Sequence, residues 1–206
     1  VYKGASLSSE ILKSAPGTAG NADDTVNVEA LFNKYPDMRA WLNIFDTNIN
    51  YPIVQGIDDA EYLNKDIDGE FSLAGSIFLS SLCSGDLNEH YSLVYGHHMD
   101  NGAMFGDVEK FLDKGFFDSH VDGILYTKTE IYDVKVFAVL ETDAYNEKIY
   151  FPYFANENKD DFYNYLQKNA VHIRDVNRNN KVITMSTCTE SYTNGRIVLF
   201  GELIRR

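Results

Sequence analysis

Two side chains that could take part in catalysis flank the turn of a predicted hairpin near the C-terminus. In "VITMSTCTESYTNGRIVLF", residues 182–200, a run of strand-forming residues ends at Cys188, and a second run begins at Arg196 after a polar turn. If the runs pair antiparallel, both side chains come to the same end of the sheet. A guanidinium there favours the thiolate and offers N–H donors to an oxyanion. The pattern is therefore typical of a cysteine nucleophile, although a buried structural cysteine beside an ion-paired arginine fits the spacing as well.

A cysteine nucleophile needs a partner for proton transfer, and the chain has 5 histidines. His90, His120 and His172 stand in polar contexts and are predicted to be surface residues. His97, in "LVYGHHMDNGAMF", follows a strand and a glycine, where sites are usually assembled, whereas the adjacent His98 points elsewhere if the backbone stays extended. An arginine cannot accept a proton from imidazole, so the pattern indicates a Cys/His/Arg site and not the Cys/His/Asn site of papain-like proteases.

Eight short runs of strand-forming residues are available to position these side chains. They read "AWLNI", "INYPIVQ", "GSIFLSS", "YSLVYGH", "GILYTKT", "YDVKVFAVLET", "KVITMSTC" and "RIVLFGELI". A helix of roughly two turns is predicted to begin near Asn27 and to be closed by Pro36. Further helices are predicted in "DDAEYLNKD", in "MFGDVEKFLD" and over residues 158–170. Many short strands with few scattered helices favour a mostly β fold, a closed or nearly closed barrel.

Composition limits the partners that the chain can have. Of its 206 residues 44% are hydrophobic and 14% aromatic, which is enough for a substantial core. The formal net charge of −13 argues against nucleic acid as a partner, because phosphate binding needs a basic patch. No stretch is long and apolar enough to span a membrane. There is no Walker loop, dinucleotide fingerprint or zinc-site spacing, so the sequence predicts no metal or cofactor site.

Several stretches resemble the sortases, and specifically class B. "TMSTC", residues 184–188, is similar to the family's Thr-Leu-x-Thr-Cys signature, with Met185 in place of the usual leucine. "RI", residues 196–197, matches the arginine that opens the family's last strands, and "YGHHMDNGAMF", residues 95–105, resembles its Gly-His segment. "YPDMRAWLNI", "INYPIVQG" and "AGSIFLS" resemble the class B pattern nearer the N-terminus. The resemblance covers residues 27–206 as one catalytic domain and leaves residues 1–26 as a flexible or weakly helical N-terminal arm.

The resemblance implies an eight-stranded sortase-type β-barrel, with an N-terminal helical extension and an inserted helix before the Cys-bearing strand. It also implies a membrane-anchored cysteine transpeptidase, peptidase-like in its first step, on the outer face of a Gram-positive bacterium. Contact with the membrane is expected only through an N-terminal anchor that is absent from this chain, which begins with Val1.

The resemblance also assigns the chemistry to three residues. Cys188 would cut a sorting signal of Asn/Ser-Pro-x-Thr-Gly/Asn type after the threonine and form a thioester. His97 would protonate the leaving amine and then deprotonate the incoming one, an amine of the peptidoglycan precursor. Arg196 would stabilise the oxyanion and hold the substrate backbone. No metal or cofactor is required by this chemistry.

Further residues are predicted by the resemblance to contact the sorting peptide. These substrate-binding candidates are Leu63, Ile149, Tyr150, Ser186, Thr187 and Glu190. For Leu63, Ile149 and Tyr150, ordinary barrel packing fits the sequence as well as a place in the groove. Glu190 either touches the incoming nucleophile or is simply solvated. Cys83 has no counterpart in the pattern and is predicted to be a bystander thiol, so no disulfide is expected.

Three alternatives to this function stay open at the level of sequence. A cysteine endopeptidase would pass the acyl group to water, and a pilus-polymerising sortase would pass it to a lysine of a partner pilin. A catalytically silent barrel would only bind a surface peptide or scaffold wall assembly. The presence of Cys188, His97 and Arg196 together weighs against a silent barrel, because binding alone does not need all three.

Overall fold

The strands form one sheet that closes into a barrel. The computed structural model describes residues 22–188 and 194–206, and their side chains apart from residues 22–27 and 188. Its strands are β1 (Met38–Ile44), β2 (Asn50–Val54), β3 (Ile77–Leu79), β4 (Tyr91–Tyr95), β5 (Asp122–Thr127), β6 (Ile131–Asp143), β7 (His172–Ile173), β8 (Lys181–Cys188) and β9 (Gly195–Arg205). The order is β5-β1-β2-β3-β4-β8-β9-β6-β7, and β5 also pairs with β6. That last pairing closes an eight-stranded barrel and leaves β7 beside the second half of β6.

The predicted mostly β fold with an eight-stranded barrel is confirmed, and all eight predicted strands are present. Only β7, which is two residues long, was not predicted. Two of the strand pairs are parallel, β2 with β3 and β4 with β8, while the other pairs are antiparallel. A parallel pair needs a long crossover connection, and the β4–β8 crossover contains most of the described helices.

The helices are α1 (Ala22–Lys34), a 3-10 helix (Gly106–Leu112), α2 (Lys114–Ser119), α3 (Glu147–Tyr150), α4 (Pro152–Glu157) and α5 (Lys159–Asn169). Helix α5 is the inserted helix predicted before the Cys-bearing strand. Helix α1 begins before the predicted cap near Asn27, and residues 1–21 of the predicted arm lie outside the described residues. None of the described helices has the length and apolar character needed to cross a membrane.

The prediction of a helix in "DDAEYLNKD" is wrong, because the backbone there makes other hydrogen bonds. The Asp58 carboxylate accepts from the main-chain N–H groups of Ala60 (2.9 Å) and Glu61 (3.0 Å), which turns the chain. The Tyr62 and Asn64 carbonyls then accept from Ser76 N and Ser72 N, each at 3.0 Å. These long-range bonds replace helical ones, so the segment is part of the long β2–β3 connection (residues 55–76).

Helices pack against the barrel on two sides. Helix α1 packs its buried Val28 and Leu31 on Trp41 of β1, whose indole N–H donates to Asn50 Oδ1 at 2.7 Å. Helix α5 buries Phe162 and Leu166 in the main core, which fills the barrel interior. Because the interior is filled with side chains, a substrate has to bind outside it, on the outer surface of the barrel or at one of its rims.

Candidate active site

Strands β4 and β8 end, and their neighbour β9 begins, at the same rim of the barrel. In the antiparallel pair β8–β9, Cys188 is the direct partner of Arg196, as the hairpin pattern predicted. In the parallel pair β4–β8, Tyr95 is the partner of Ser186. Parallel strands advance together, so two residues further along each chain His97 comes level with Cys188. The strand register therefore assembles the three predicted catalytic positions, although the Cys188 side chain lies outside the described residues.

A pocket of about 160 Å³ opens at this rim. Five of the predicted site residues line it: His97, Arg196, Leu63, Ser186 and Thr187. Four further residues that line it were not predicted, namely Asp59, Phe78, Tyr95 and Gly96. The predicted residue Glu190 lies outside the described residues.

His97 is held by main-chain groups on both sides. Its ring Nε2 lies 2.7 Å from the Leu63 carbonyl oxygen, which belongs to the β2–β3 connection. Its own carbonyl accepts from Phe105 N at 3.0 Å, which closes the loop that follows β4. His98 points away from the pocket, as predicted, and its Nε2 lies 2.9 Å from Glu109 Oε2 on the 3-10 helix. Of the two adjacent histidines, only His97 therefore faces the pocket.

The glycine before His97 is required by packing. A Cβ atom on Gly96 would lie 2.5 Å from Ile77 Cδ1 and 2.6 Å from a ring carbon of Phe105. Both neighbours are buried, so neither can move away without opening the core. Because position 96 has no side chain, the end of β4 packs closely against Ile77 of β3 and the Phe105 ring. This packing fixes the position of the His97 backbone.

Arg196 stands between the cysteine strand and β6. Its Cα is paired with Cys188 on one side and with Thr142 on the other. The half-buried side chain donates from Nη1 to the Gly195 carbonyl at 2.8 Å. The guanidinium carries further N–H donors beyond this one, and an arginine keeps its charge at all relevant pH values. A permanent cation with donors at the pocket can stabilise an oxyanion that forms there.

The pocket floor is built on β8 and β4. Ser186 and Thr187 are both buried, with 1% and 2% exposure. Ser186 Oγ lies 2.8 Å from the Tyr150 hydroxyl, and the Tyr150 ring stacks on Tyr95, with centroids 6.3 Å apart and planes 8° apart. Tyr150 therefore supports the floor through Ser186 and Tyr95, and it contacts pocket residues without lining the pocket.

Ile149 follows the alternative of ordinary barrel packing, which fitted its sequence as well as a place in the groove. This side chain is fully buried in the core, and the Ile149 carbonyl accepts from the Tyr91 hydroxyl at 2.8 Å. The physical reason is that α3 is a single turn, which turns one of two successive side chains inward and leaves Tyr150 half-buried. Of the pair, only Tyr150 reaches the vicinity of the pocket.

Asp59 and Tyr95 line the pocket but were not predicted from the sequence. Asp59 is anchored by Ser80 Oγ (3.0 Å) and Ser81 N (2.6 Å), just beyond β3. Burial and, secondarily, the Asp59 charge raise the pKa of Tyr95, so its hydroxyl stays protonated. Tyr95 stands two residues before His97 at the end of a predicted strand, which was a usable signal. Asp59 gave no such signal, because its place depends on contacts with a distant strand.

The other candidate side chains are structural. Cys83 is a free, buried thiol whose Sγ accepts from Leu93 N at 3.4 Å, and burial raises its pKa to about 12. A buried thiol of this kind fits the prediction of a bystander. The prediction that His90 is a surface residue is wrong, since it is 8% exposed beneath α5 and its Nε2 lies 3.2 Å from the Tyr163 hydroxyl. His120 and His172 are half-buried.

Comparisons with known proteins agree with this architecture. The sortase domain family model matches residues 42–204. A curated relative, sortase B of Listeria monocytogenes, is 35% identical over 203 residues, which are 94% of this chain and 80% of the relative.

Two solved structures are similar over most of the chain. A Streptococcus pyogenes class B sortase involved in pilus biogenesis has a TM-score of 0.79 and 34% identity, with 87% of this chain and 98% of that chain covered. A Staphylococcus aureus sortase B–substrate complex has a TM-score of 0.78 and 28% identity, with 87% and 85% covered. With its barrel, its family match and these relatives, the chain belongs to the sortase family of cysteine transpeptidases, and within it to class B.

Proposed function

We propose that this sortase cuts a sorting motif of Asn/Ser-Pro-x-Thr-Gly/Asn type after the threonine and transfers the acyl group to an amine of the cell-wall peptidoglycan. One observation carries the proposal: the register of β4, β8 and β9 brings His97, Cys188 and Arg196 to one rim, at a pocket. A nucleophile, a proton carrier and a permanent cation at one place are the groups that acyl transfer needs.

The first half of the reaction forms a thioester. The Cys188 thiolate attacks the threonine carbonyl carbon, and the carbonyl oxygen becomes an oxyanion beside the Arg196 guanidinium. The C–N bond then breaks, and His97 donates its proton to the leaving amine. The acyl group is now held on sulfur, and His97 is neutral.

The second half reverses these roles. The acceptor amine attacks the thioester carbon and gives a proton to His97, while Arg196 again faces the oxyanion. The C–S bond breaks, the thiolate is restored, and the product is a new amide. Solved structures of related proteins include a sortase B complexed with triglycine, and a short glycine peptide presents a primary amine of the kind that this step consumes.

Five residues are proposed to hold the sorting peptide. Leu63, Ser186 and Thr187 line the pocket, and Tyr150 supports it from below through Ser186. We keep Glu190 in this proposal as a residue that meets the acceptor, because it follows Cys188 closely in the chain. The strand rim between the β2–β3 connection and β8 gives an extended peptide a surface on which to lie.

We propose that the enzyme works at the outer face of the cell membrane, held by a single-pass N-terminal anchor, because its acceptor is built there. Labelling of intact cells with a membrane-impermeant amine reagent tests this placement. A protein labelled only after lysis would contradict it.

A second candidate function is pilus polymerisation. It is favoured by one observation, the 34% identity with a Streptococcus pyogenes class B sortase involved in pilus biogenesis. In that case the acceptor would be a lysine side chain of a pilin. The two functions share the thioester half of the reaction and differ only in the amine that resolves it.

The test is cleavage of a peptide library built on x-Pro-x-Thr-Gly, with and without an added amine, followed by mass spectrometry. We expect cleavage after threonine, and an amide product when a peptidoglycan-type amine is present. A preference for a lysine side-chain amine would favour pilus assembly, and a free acid under all conditions would indicate a hydrolase. Cys188→Ala should abolish cleavage, whereas the matched control Cys83→Ala should leave it within about twofold, because Cys83 is buried away from the pocket.

A further inference from the structure

We propose that the main-chain carbonyl of Leu63 is the orienting partner of His97, so that Nε2 keeps its proton and Nδ1 is the atom that transfers protons. The inference rests on the proposed function, in which His97 is the acid and base, and it names the group that positions it. Leu63 is then a positioning residue through its backbone, in addition to any contact of its side chain with the peptide.

The hydrogen bond itself determines the tautomer. His97 Nε2 lies 2.7 Å from the Leu63 carbonyl oxygen, and a carbonyl can only accept. Nε2 must therefore carry the hydrogen in the neutral ring as well as in the cation. Proton transfer is left to the other ring nitrogen, Nδ1. In other Cys–His and Ser–His enzymes an amide or carboxylate side chain has this orienting role.

The direction of the Leu63 carbonyl is set by its neighbours. The carbonyls on either side, those of Tyr62 and Asn64, accept from Ser76 N and Ser72 N at 3.0 Å. Between these two bonded carbonyls, the Leu63 carbonyl oxygen lies 2.7 Å from His97 Nε2 and close to the Cα of Gly75. The paired carbonyls on both sides leave it little freedom to rotate.

A glycine keeps room for this carbonyl. Gly75 has φ of +59°, and a Cβ atom there would lie 2.3 Å from the Leu63 oxygen and 2.7 Å from the Tyr62 oxygen. Any side chain at position 75 would collide with the acceptor of the His97 bond. Gly69, in the same connection, has φ of +88°, but a Cβ there would meet only Lys65 Cε at 3.8 Å. The two glycines share the same backbone requirement and differ in their closeness to the Leu63 carbonyl.

Among the described residues no Asn, Asp or Glu side chain is bonded to the His97 ring, and the Leu63 carbonyl can orient the histidine in its place. A carbonyl orients the ring but adds no negative charge, so it stabilises the imidazolium less than a carboxylate does. It also links the two functions of the β2–β3 connection. The same residue whose side chain lines the pocket fixes the ring that protonates the leaving group.

The direct experiment is ¹⁵N nuclear magnetic resonance of the histidine rings in the Cys188→Ala protein, which has no thiol at the site. At a pH where the His97 ring is neutral, we expect a protonated Nε2 with a slowly exchanging hydrogen and an unprotonated Nδ1. A neutral His97 ring protonated at Nδ1 would overturn the proposal. The readout needs no substrate, so it stands or falls separately from the proposed reaction.

Two variants connect the hydrogen bond with turnover. In Gly75→Ala we expect the slowly exchanging Nε2 hydrogen to be lost, kcat to fall about tenfold or more, and the pH profile of kcat to shift. Gly69→Ala, which has the same backbone strain, should keep the hydrogen, the rate within about threefold and the wild-type profile. Equal effects of both variants would contradict a role of the carbonyl. If Gly75→Ala does not fold, an ester in place of the Leu63–Asn64 amide weakens the same acceptor without any added atom, and an unchanged pH profile there would overturn the proposal.

Discussion

Strand β4 has a histidine at each end, and the two ends differ in what they do with it. His97 follows the pocket end, half-buried, with a main-chain carbonyl at one ring nitrogen. His90 precedes the opposite end, where α5 covers it and the Tyr163 hydroxyl is its partner. Burial and, secondarily, the charge of Lys159 lower the pKa of His90 to about 4, so it is neutral at physiological pH.

The strand alone therefore gives neither histidine its role. Both residues flank the same five-residue strand, and both stand in polar stretches of sequence. The covering helix makes one of them a neutral core residue. The open rim, with a permanent cation across the pocket, leaves the other able to exchange protons with a substrate.

The difference between the two histidines is tested most strongly by replacing each in turn. His97→Gln should lower kcat by about 10² to 10⁴-fold, because it removes the proton carrier, while thermal unfolding stays near that of the wild type, because the residue is half-buried at the rim. His90→Gln should leave kcat within about twofold and lower the free energy of unfolding by roughly 1 kcal/mol, because it disturbs a buried hydrogen bond. Steady-state cleavage and thermal melting measure both. A comparable loss of activity in the two variants would show that the ends of β4 do not differ as described.

A second test replaces one arginine near each end of β4. Arg196→Lys should lower kcat about 10² to 10³-fold, because lysine keeps the charge but loses the planar set of N–H donors at the oxyanion. The matched control is Arg178→Lys near His90, where Arg178 lies over the Tyr163 ring at 5.2 Å. That variant should keep its kcat and lose a few tenths of a kcal/mol in stability. Full activity of Arg196→Lys would show that the guanidinium donors are not needed.

The parts of this site that the sequence predicted are the ones built from neighbouring residues. The Cys188–Arg196 pairing follows from a hairpin, in which two strands and their turn are contiguous in the chain. The eight strands and α5 were predictable because hydrophobic periodicity is local. His97 was added to these two residues because it follows a strand and a glycine, and the family resemblance then gave it a role. The register of β4 and β8 places it at the same rim as Cys188.

The remaining parts depend on contacts between distant segments, which no local pattern encodes. The parallel pairing of β4 with β8 brings His97 level with Cys188, but periodicity does not reveal which strands are neighbours. The hydrogen bonds from residues 72–76 turned a predicted helix into the segment that carries Leu63. His90 was misplaced for the same reason, since α5, which is distant in the chain, covers it.

The smallest expected effect concerns acid stability at the His90 end. The folded-state pKa of His90 is about 4 and an unfolded histidine titrates near 6.5, so between these values the unfolded state binds the extra proton. Stability contributed by neutral His90 is therefore present above pH 6.5 and is lost as the pH falls toward 4. Urea unfolding at pH 7 and pH 4.5 should show a loss that is smaller by about 2 kcal/mol in His90→Gln than in the wild type. Tyr163→Phe keeps the burial that lowers this pKa, so it should lose as much stability between pH 7 and pH 4.5 as the wild type does. A loss of wild-type size in His90→Gln, or no loss in Tyr163→Phe, would show that a group other than buried His90 governs the acid sensitivity.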